Sequence, residues 1–102
     1  MEAMKEAYEI DNHITGVVAW NDVFAVGALH YLNKIGLTVP GNVEIIGHDN
    51  IIAPTMNPPI SSIEMPIDEI AAAAIEIIDK SQDKLTAPST RTITLEPRLV
   101  LR

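Results

Sequence analysis

The sequence predicts an α/β fold in which helices flank a mostly parallel sheet. Two short apolar runs, 16–20 and 43–47, have the length and the β-branched content of buried parallel strands. The segment between them, 22–35, carries apolar residues at helical spacing. A strand, a helix and a second strand in this order are expected to form a crossover unit whose two strands run parallel.

The first 35 residues predict two helices, one before and one after the first strand in the sequence. Residues 1–11 form an amphipathic helix, and residues 22–35 form a second one. The second helix ends where Gly36 supplies a left-handed residue, and Pro40 prevents it from resuming. The predicted apolar faces consist of Ala3, Met4, Ala7 and Tyr8 in the first helix, and of Phe24, Ala25, Ala28, Leu29, Leu32 and Ile35 in the second.

The middle of the chain predicts a loop, an extended segment and a third helix. Residues 48–60 are rich in Asn and Pro and form the loop. Residues 61–65 are extended, because Pro66 disfavours a helical conformation at the residue before it. The third helix covers 67–80, and its apolar face consists of Ile67, Ile70, Ala71, Ala74 and Ile78.

The last 22 residues predict irregular structure and two short strands. Residues 81–90 are polar and form a mobile loop. Short strands are expected at 92–95 and 99–101, with Pro97 as the break between them.

Composition excludes several classes of protein. A formal net charge of −7 argues against a nucleic-acid-binding surface in this segment, because phosphate contacts need clustered Lys and Arg. The absence of cysteine excludes disulfides and thiolate metal sites, and the chain has no apolar run long enough to cross a bilayer. The N-terminal residues lack the pattern of a secretory signal, so a cytoplasmic protein is the simplest interpretation.

Polar residues follow both predicted strands of the crossover unit. Asn21 and Asp22 come after the first strand, and His48, Asp49 and Asn50 come after the second. Ligands of open α/β sheets bind beyond the carboxyl ends of the strands, so both groups are expected to face one cleft. An amide and a carboxylate suit neutral, hydroxyl-rich ligands such as sugars better than phosphates.

Each of these residues also has a purely structural interpretation. Asn21 or Asp22 can cap the following helix, and capping is the expected role of one of them. Asp49 and Asn50 can be turn formers only, and His48 can be a packed surface histidine.

Signatures of catalysis, metal binding and cofactor binding are missing. The chain has no nucleophile elbow, no phosphate-binding loop and no dinucleotide fingerprint, and Glu64 and Glu69 do not form a convincing acid–base pair. His13 and His30 do not have the spacing of metal ligands. Trp20 is expected in the core more than as a stacking platform, although its position at a strand end allows either role. An enzyme is therefore the weakest class, and no cofactor is expected.

Five segments of the chain carry short motifs in a fixed order and spacing. They are Ala19-Trp20-Asn21-Asp22 with Ala25 and Gly27-Ala28-Leu29, then Ile35-Gly36-Leu37-Thr38-Val39-Pro40, Val43-Glu44-Ile45-Ile46-Gly47-His48-Asp49-Asn50, Pro58-Pro59-Ile60-Ser61-Ser62-Ile63, and Leu95-Glu96-Pro97-Arg98-Leu99-Val100-Leu101-Arg102. Together these segments resemble the LacI/GalR family of transcriptional regulators. The sequence departs from the family pattern at His48, where an aromatic residue is usual, and at Asn50, where a second Asp is usual.

The resemblance implies a fragment of a type I periplasmic-binding-protein-like fold, without a DNA-binding domain. Residues 1–102 would be part of an effector-binding and dimerisation domain. In it, 1–62 and 94–102 would belong to the C-terminal lobe and 63–93 to the N-terminal lobe. A sugar or another small effector would bind between the lobes.

The resemblance also assigns roles to the residues at the strand ends. Asn21 and Asp49 would contact the effector, and Asp22 would be a cap or a supporting residue. His48 and Asn50 would likewise support the site.

Self-association is expected as well. The strand at 16–20 would present an unpaired apolar edge, and Ile67, Ile70 and Ile78 would stay uncovered, so a homodimer or higher oligomer is predicted. Helix 22–35 and loop 51–58 resemble regions where regulators of this family dimerise, and Val23, Val26 or Tyr31 would be candidate contacts. Two alternatives stay open, namely a sugar-binding protein of a transport system and an oligomerisation fragment without a ligand.

Overall fold

The chain forms three helices and four strands within residues 1–81 and 92–102, which a computed structural model describes. The predicted loop at 81–90 therefore lies outside the described residues, apart from Ser81 at the end of a helix. A single 3-10 turn, Ala53–Thr55, interrupts the predicted loop at 48–60. The elements are α1 (Glu2–Ile10), β1 (Gly16–Val18), α2 (Asp22–Lys34), β2 (Glu44–His48), β3 (Ser61–Glu64), α3 (Ile67–Ser81) and β4 (Arg98–Val100).

The four strands form one sheet in the order β1-β2-β3-β4. β1 pairs with β2 in parallel, with Val18 opposite Ile46, and β2 pairs with β3 in parallel, with His48 opposite Ile63. The predicted α/β class and the parallel pairing of the first two strands are thus confirmed. Because these three strands run in the same direction, their carboxyl ends lie along one edge of the sheet.

The core lies between the sheet and α2, and the rotation of α2 differs from the predicted one. Phe24 is 59% exposed and Ile35 is 40% exposed, so the predicted apolar stripe is wrong at these two positions. The buried face instead begins with Asp22, which is only 2% exposed, and this residue sets the rotation of the helix. The buried apolar residues of α2 are Ala25, Ala28, Leu29 and Leu32, and the sheet side of the core includes Val43, Ile45 and Ile60.

α1 covers the same core through three of the four predicted residues, whereas Ala3 is exposed and the prediction is wrong there. Met4 is buried, and Ala7 and Tyr8 are half-buried. The ring of Tyr8 meets the ring of Tyr31 edge-on, with the centroids 6.4 Å apart and the planes at 62°. This aromatic contact joins α1 to α2.

β1 is an edge strand, and the prediction that it is buried is wrong. Val18 is 77% exposed and Trp20, just beyond the strand, is 85% exposed, so Trp20 does not belong to the core. Alternate residues of a strand point to opposite faces, and the half-buried Val17 and Ala19 occupy the face that packs on the core. In the described residues only β2 pairs with β1, which leaves the other strand edge open.

The chain divides into two compact units. The first comprises Met1–Glu64 with Leu99–Arg102, and the second comprises Met65–Arg98. In the second unit Ile67, Ile70 and Ile78 are 63%, 38% and 57% exposed, which confirms that these side chains stay uncovered. The predicted strand at 92–95 is wrong, because 92–97 is irregular and the terminal strand begins at Arg98.

The carboxylate of Asp22 ties α2 to two other parts of the first unit. Its Oδ2 accepts hydrogen bonds from the backbone N–H groups of Ile51, Ile52 and Ala53, at 2.9, 3.2 and 3.0 Å. Its Oδ1 accepts a hydrogen bond of 2.6 Å from the hydroxyl of Ser62 in β3, which is itself fully buried. A buried carboxylate with this many donors is well compensated for the loss of water.

Gly47 is where β2 passes closest to this carboxylate, and its lack of a side chain is required there. A Cβ atom at position 47 would lie 2.5 Å from Asp22 Oδ1 and 3.4 Å from the Cβ of Ala25. Because Asp22 is held by its donors, it cannot move away at low cost.

We expect Gly47→Ala to lower the free energy of unfolding by about 1–3 kcal/mol through overpacking. Urea denaturation followed by circular dichroism measures this change. Gly16→Ala in β1 is the matched control, because a Cβ there meets nothing within 4 Å. Equal stabilities of the two variants would contradict the close approach of Gly47 to Asp22.

Candidate functional site

A cleft of about 650 Å³ lies at the carboxyl ends of β1, β2 and β3. The structure brings three of the sequence-predicted site residues, Asn21, His48 and Asp49, to this cleft, and it leaves Asp22 and Asn50 out of the lining. The lining residues are Val18, Ala19, Trp20, Asn21, His48, Asp49 and Ile63. The cleft therefore combines an apolar wall with three polar side chains.

Asn21 occupies the N-cap of α2. Its backbone is extended, and its side-chain Oδ1 accepts a hydrogen bond of 3.0 Å from the N–H of Phe24. Capping by one of the two neighbouring residues was expected, and Asn21 is that residue. The amide nitrogen of Asn21 makes no hydrogen bond within the described part of the chain, so its two N–H donors remain available at the cleft.

His48 and Asp49 form a hydrogen-bonded pair at the end of β2. The ring Nδ1 of His48 lies 2.9 Å from Oδ1 of Asp49, and the two side chains are 35% and 41% exposed. Asp49 and the following Asn50 have positive φ angles, +97° and +54°. Asp and Asn tolerate this conformation better than most residues, so the turn interpretation applies to both of them as well.

Asn50 is bonded to β3 and not to the cleft. Its backbone N–H donates to Ser62 Oγ at 3.1 Å, and its side-chain Nδ2 donates to Oε1 of Glu64 at 3.0 Å. These two bonds hold the turn that begins with Asp49 against the neighbouring strand. Asn50 thus acts on the cleft only through the backbone of that turn.

The pKa of Asp22 reflects two opposing causes. Burial raises the pKa, whereas the hydrogen bonds from Ser62 and from the backbone of Ala53, Ile52 and Ile51 lower it, and the result lies below the usual value of 3.8. The bonded, ionised carboxylate is therefore the form that the folded chain prefers. Asp22 supports the cleft from inside the protein, because it fixes both α2 and the turn after β2.

Two features of the site escaped the sequence-based predictions. Ser62 is the hydroxyl donor of the Asp22 network, and its only signal in the sequence is a polar residue in a short extended segment. Trp20 is exposed at the cleft, although a core position was expected more than a stacking position. The partner of Ser62 is 40 residues away in sequence, which is why local patterns do not reveal this bond.

The sequence matches the periplasmic binding protein-like domain family over residues 1–102. The chain belongs to this family.

Relatives of this periplasmic binding protein-like chain include characterised regulators. The HTH-type transcriptional repressor PurR of Photobacterium profundum is 30% identical over 104 residues, which cover 100% of this chain and 30% of the repressor. A LacI family transcriptional regulator from Arthrobacter sp. FB24, solved in complex with lactose, superposes with a TM-score of 0.87 at 30% identity over 99% of this chain and 38% of the regulator. The transcriptional regulator CelR, in complex with cellobiose, gives a TM-score of 0.87 at 27% identity over 99% of this chain and 31% of CelR.

These matches confirm the resemblance to LacI/GalR regulators and the periplasmic-binding-protein-like fold. The chain spans about a third of the length of the relatives that it matches. Among the described residues, no helix has the length and apolar character needed to cross a membrane. The same residues contain no group of three His, Cys, Asp or Glu side chains arranged to hold a metal ion.

We expect the Asp22 network to make the stability of this family member depend on acidic pH. Because the pKa of Asp22 is lower in the folded chain than in the unfolded chain, its stabilisation is complete above about pH 4 and is lost as the pH falls through the folded-state pKa. Asp22→Asn, which places an amide against three backbone N–H donors, should lower the free energy of unfolding at pH 7 by about 3 kcal/mol. Urea denaturation between pH 2.5 and 7 measures both effects.

Ser62→Ala provides a milder variant in case Asp22→Asn does not fold. It removes one donor to Asp22 and leaves the three backbone donors in place, so part of the acid sensitivity should remain. A stability of Ser62→Ala equal to that of the unmodified chain at every pH would contradict this role of the carboxylate.

Proposed function

We propose that this chain is the effector-sensing segment of a LacI-type transcriptional regulator. In this proposal Asn21 and Asp49 contact a sugar or another small effector, and Asp22 holds the elements that carry them. The observation that supports this proposal most directly is that Asn21 and Asp49 line one cleft. The family to which the chain belongs also includes regulators solved with a bound sugar. The proposed role is binding and not catalysis.

The chemistry of the cleft supports an uncharged, hydroxyl-rich effector. Asn21 offers N–H donors, Asp49 offers carboxylate oxygens as acceptors, and both kinds of group pair with hydroxyls. Asp49 carries the negative charge of the lining, and the lining contains neither Lys nor Arg. An anionic group would meet no countercharge on this wall. The lactose and cellobiose complexes of the two similar regulators agree with this preference.

The division of the chain into two units supports the proposed assignment to lobes. We assign 1–62 and 94–102 to the C-terminal lobe and 63–93 to the N-terminal lobe of the effector domain. The boundaries of the compact units, at Glu64 and at Leu99, lie two and five residues from the limits at 62 and 94. A cytoplasmic location follows from the proposed role in transcription.

The effector can be sought with the fluorescence of Trp20, which is the single tryptophan of the sequence and lines the cleft. We expect lactose, cellobiose or sucrose, titrated into the chain, to change this fluorescence saturably but with weak affinity, because these lining residues form one wall of a cleft that would lie between two lobes. Asp49→Ala should weaken the binding of that sugar at least tenfold, since it removes a hydrogen bond to a charged group. Asp79→Ala, an exposed acidic residue of α3, is the matched control and should bind as the unmodified chain does.

An affinity unchanged in Asp49→Ala would remove this residue from the site. The absence of any saturable change with the three sugars, measured up to 100 mM, would contradict sugar sensing by this segment.

We also propose that the chain self-associates through the open edge of β1. Support comes from Val18, 77% exposed on a strand whose second edge is unpaired in the described residues. Among the three candidate dimer contacts, Val23 is 66% exposed, whereas Val26 and Tyr31 are half-buried and Tyr31 packs on Tyr8.

Light scattering coupled to size-exclusion chromatography should give at least twice the chain mass of 11.1 kDa. We expect Val18→Lys to return the chain to the monomer mass, because a lysine on an edge strand opposes edge pairing. Val23→Lys tests the candidate contact on α2 and should leave the oligomer intact if β1 carries the interface. Ile10→Lys, at an 87% exposed position in neither interface, is the control. A stable monomer of the unmodified chain would contradict self-association. If only Val23→Lys gives the monomer mass, the interface lies on α2 and not on β1.

A further inference from the structure

We propose that His48 is a specificity-determining residue of the cleft, with one ring nitrogen on Asp49 and the other on the effector. The effector that this arrangement fits is an uncharged ring with two adjacent hydroxyl groups and an apolar face. The inference rests on the proposed sugar-sensing function, because it names the class of ligand that the same cleft takes.

The bond between His48 and Asp49 determines which ring nitrogen carries the hydrogen. An ionised carboxylate only accepts hydrogen bonds, so Nδ1 of His48, 2.9 Å from Asp49 Oδ1, must be the donor. In the neutral imidazole the other nitrogen, Nε2, then has a free lone pair and is an acceptor. No residue in the described part of the chain donates to Nε2, and His48 lines the cleft.

The cleft thus presents two acceptors from neighbouring residues, namely Nε2 of His48 and Oδ2 of Asp49. Asp49 Oδ1 is occupied by His48, which orients the carboxylate and leaves the other oxygen for a ligand. Two acceptors on consecutive residues require two donors on the ligand, and adjacent ring hydroxyls supply them. A phosphate or carboxylate supplies no hydrogen at neutral pH and is repelled by Asp49.

The exposed indole of Trp20 favours a ligand that has an apolar face. The indole is 85% exposed and lines the same cleft as His48 and Asp49. A ring that covers the indole removes apolar surface from water while its edge hydroxyls reach the polar side chains. Asn21 adds N–H donors for a hydroxyl oxygen on the same edge.

Two variants of His48 distinguish its two proposed roles, which are to orient Asp49 and to contact the ligand. His48→Asn retains an N–H donor close to the position of Nδ1 and lacks an atom at the position of Nε2. His48→Gln has its polar atoms near Nε2 and lacks the donor at Nδ1. A residue that only positions Asp49 would be replaced by Asn without loss of affinity.

The experiment is titration of cellobiose and lactose into the chain and its variants, followed by Trp20 fluorescence. We expect His48→Asn to weaken binding about three- to tenfold, the size of one lost hydrogen bond. His48→Gln should weaken it as well, because Asp49 is no longer oriented. D-glucose should bind and D-glucose 6-phosphate should bind at least tenfold more weakly. Circular dichroism verifies that each variant is folded.

Nitrogen NMR of the histidine ring gives a readout that a structural role would not move. In the free chain the neutral ring of His48 should carry its hydrogen on Nδ1, and added cellobiose should shift the resonance of Nε2. A hydrogen on Nε2 in the free chain, or sugar affinity in His48→Asn equal to that of the unmodified chain, would overturn the inference and leave sugar sensing standing. Failure of every sugar to change Trp20 fluorescence would instead overturn sugar sensing, and this inference with it.

Discussion

The carboxylate of Asp22 is buried and accepts hydrogen bonds from four donors. These bonds join α2 to the turn at 51–53 and to β3. These parts are 29 to 40 residues away from Asp22 in sequence. Placing an ionised group in the interior is costly unless each of its oxygens has donors, and here both oxygens do. The rotation of α2, the need for glycine at position 47 and the course of the chain after β2 all depend on this one side chain.

Local sequence patterns were enough to predict the elements that form the cleft. A short apolar run, a helix and a second run specify a parallel pair, and parallel strands bring the residues after them to one edge of the sheet. For this reason the sequence alone predicts that Asn21 and Asp49 lie at one cleft. The motif resemblance pointed to the same residues by a separate route.

The parts that sequence could not predict all depend on distant partners. Asn21 and Asp22 are equally good caps, and only the donors at 51–53 and at Ser62 decide that Asp22 turns inward. The same inward turn places Ala25 and not Phe24 toward the sheet. Val18 and Trp20 alternate with the core-facing Val17 and Ala19, and they are exposed because no described element covers the opposite face of β1 there. The residues of the strand do not indicate whether another element covers that face.

At each of the two strand ends, residues close together in sequence have different roles. Trp20 and His48 line the cleft, whereas their near neighbours Asp22 and Gly47 form the interior frame. Exchanges at positions 20 and 48 would therefore alter surface shape without touching the buried carboxylate or its donors. A directed-evolution library limited to these two positions would sample new recognition properties on an unchanged scaffold, so the fold leaves room for its ligand preference to drift.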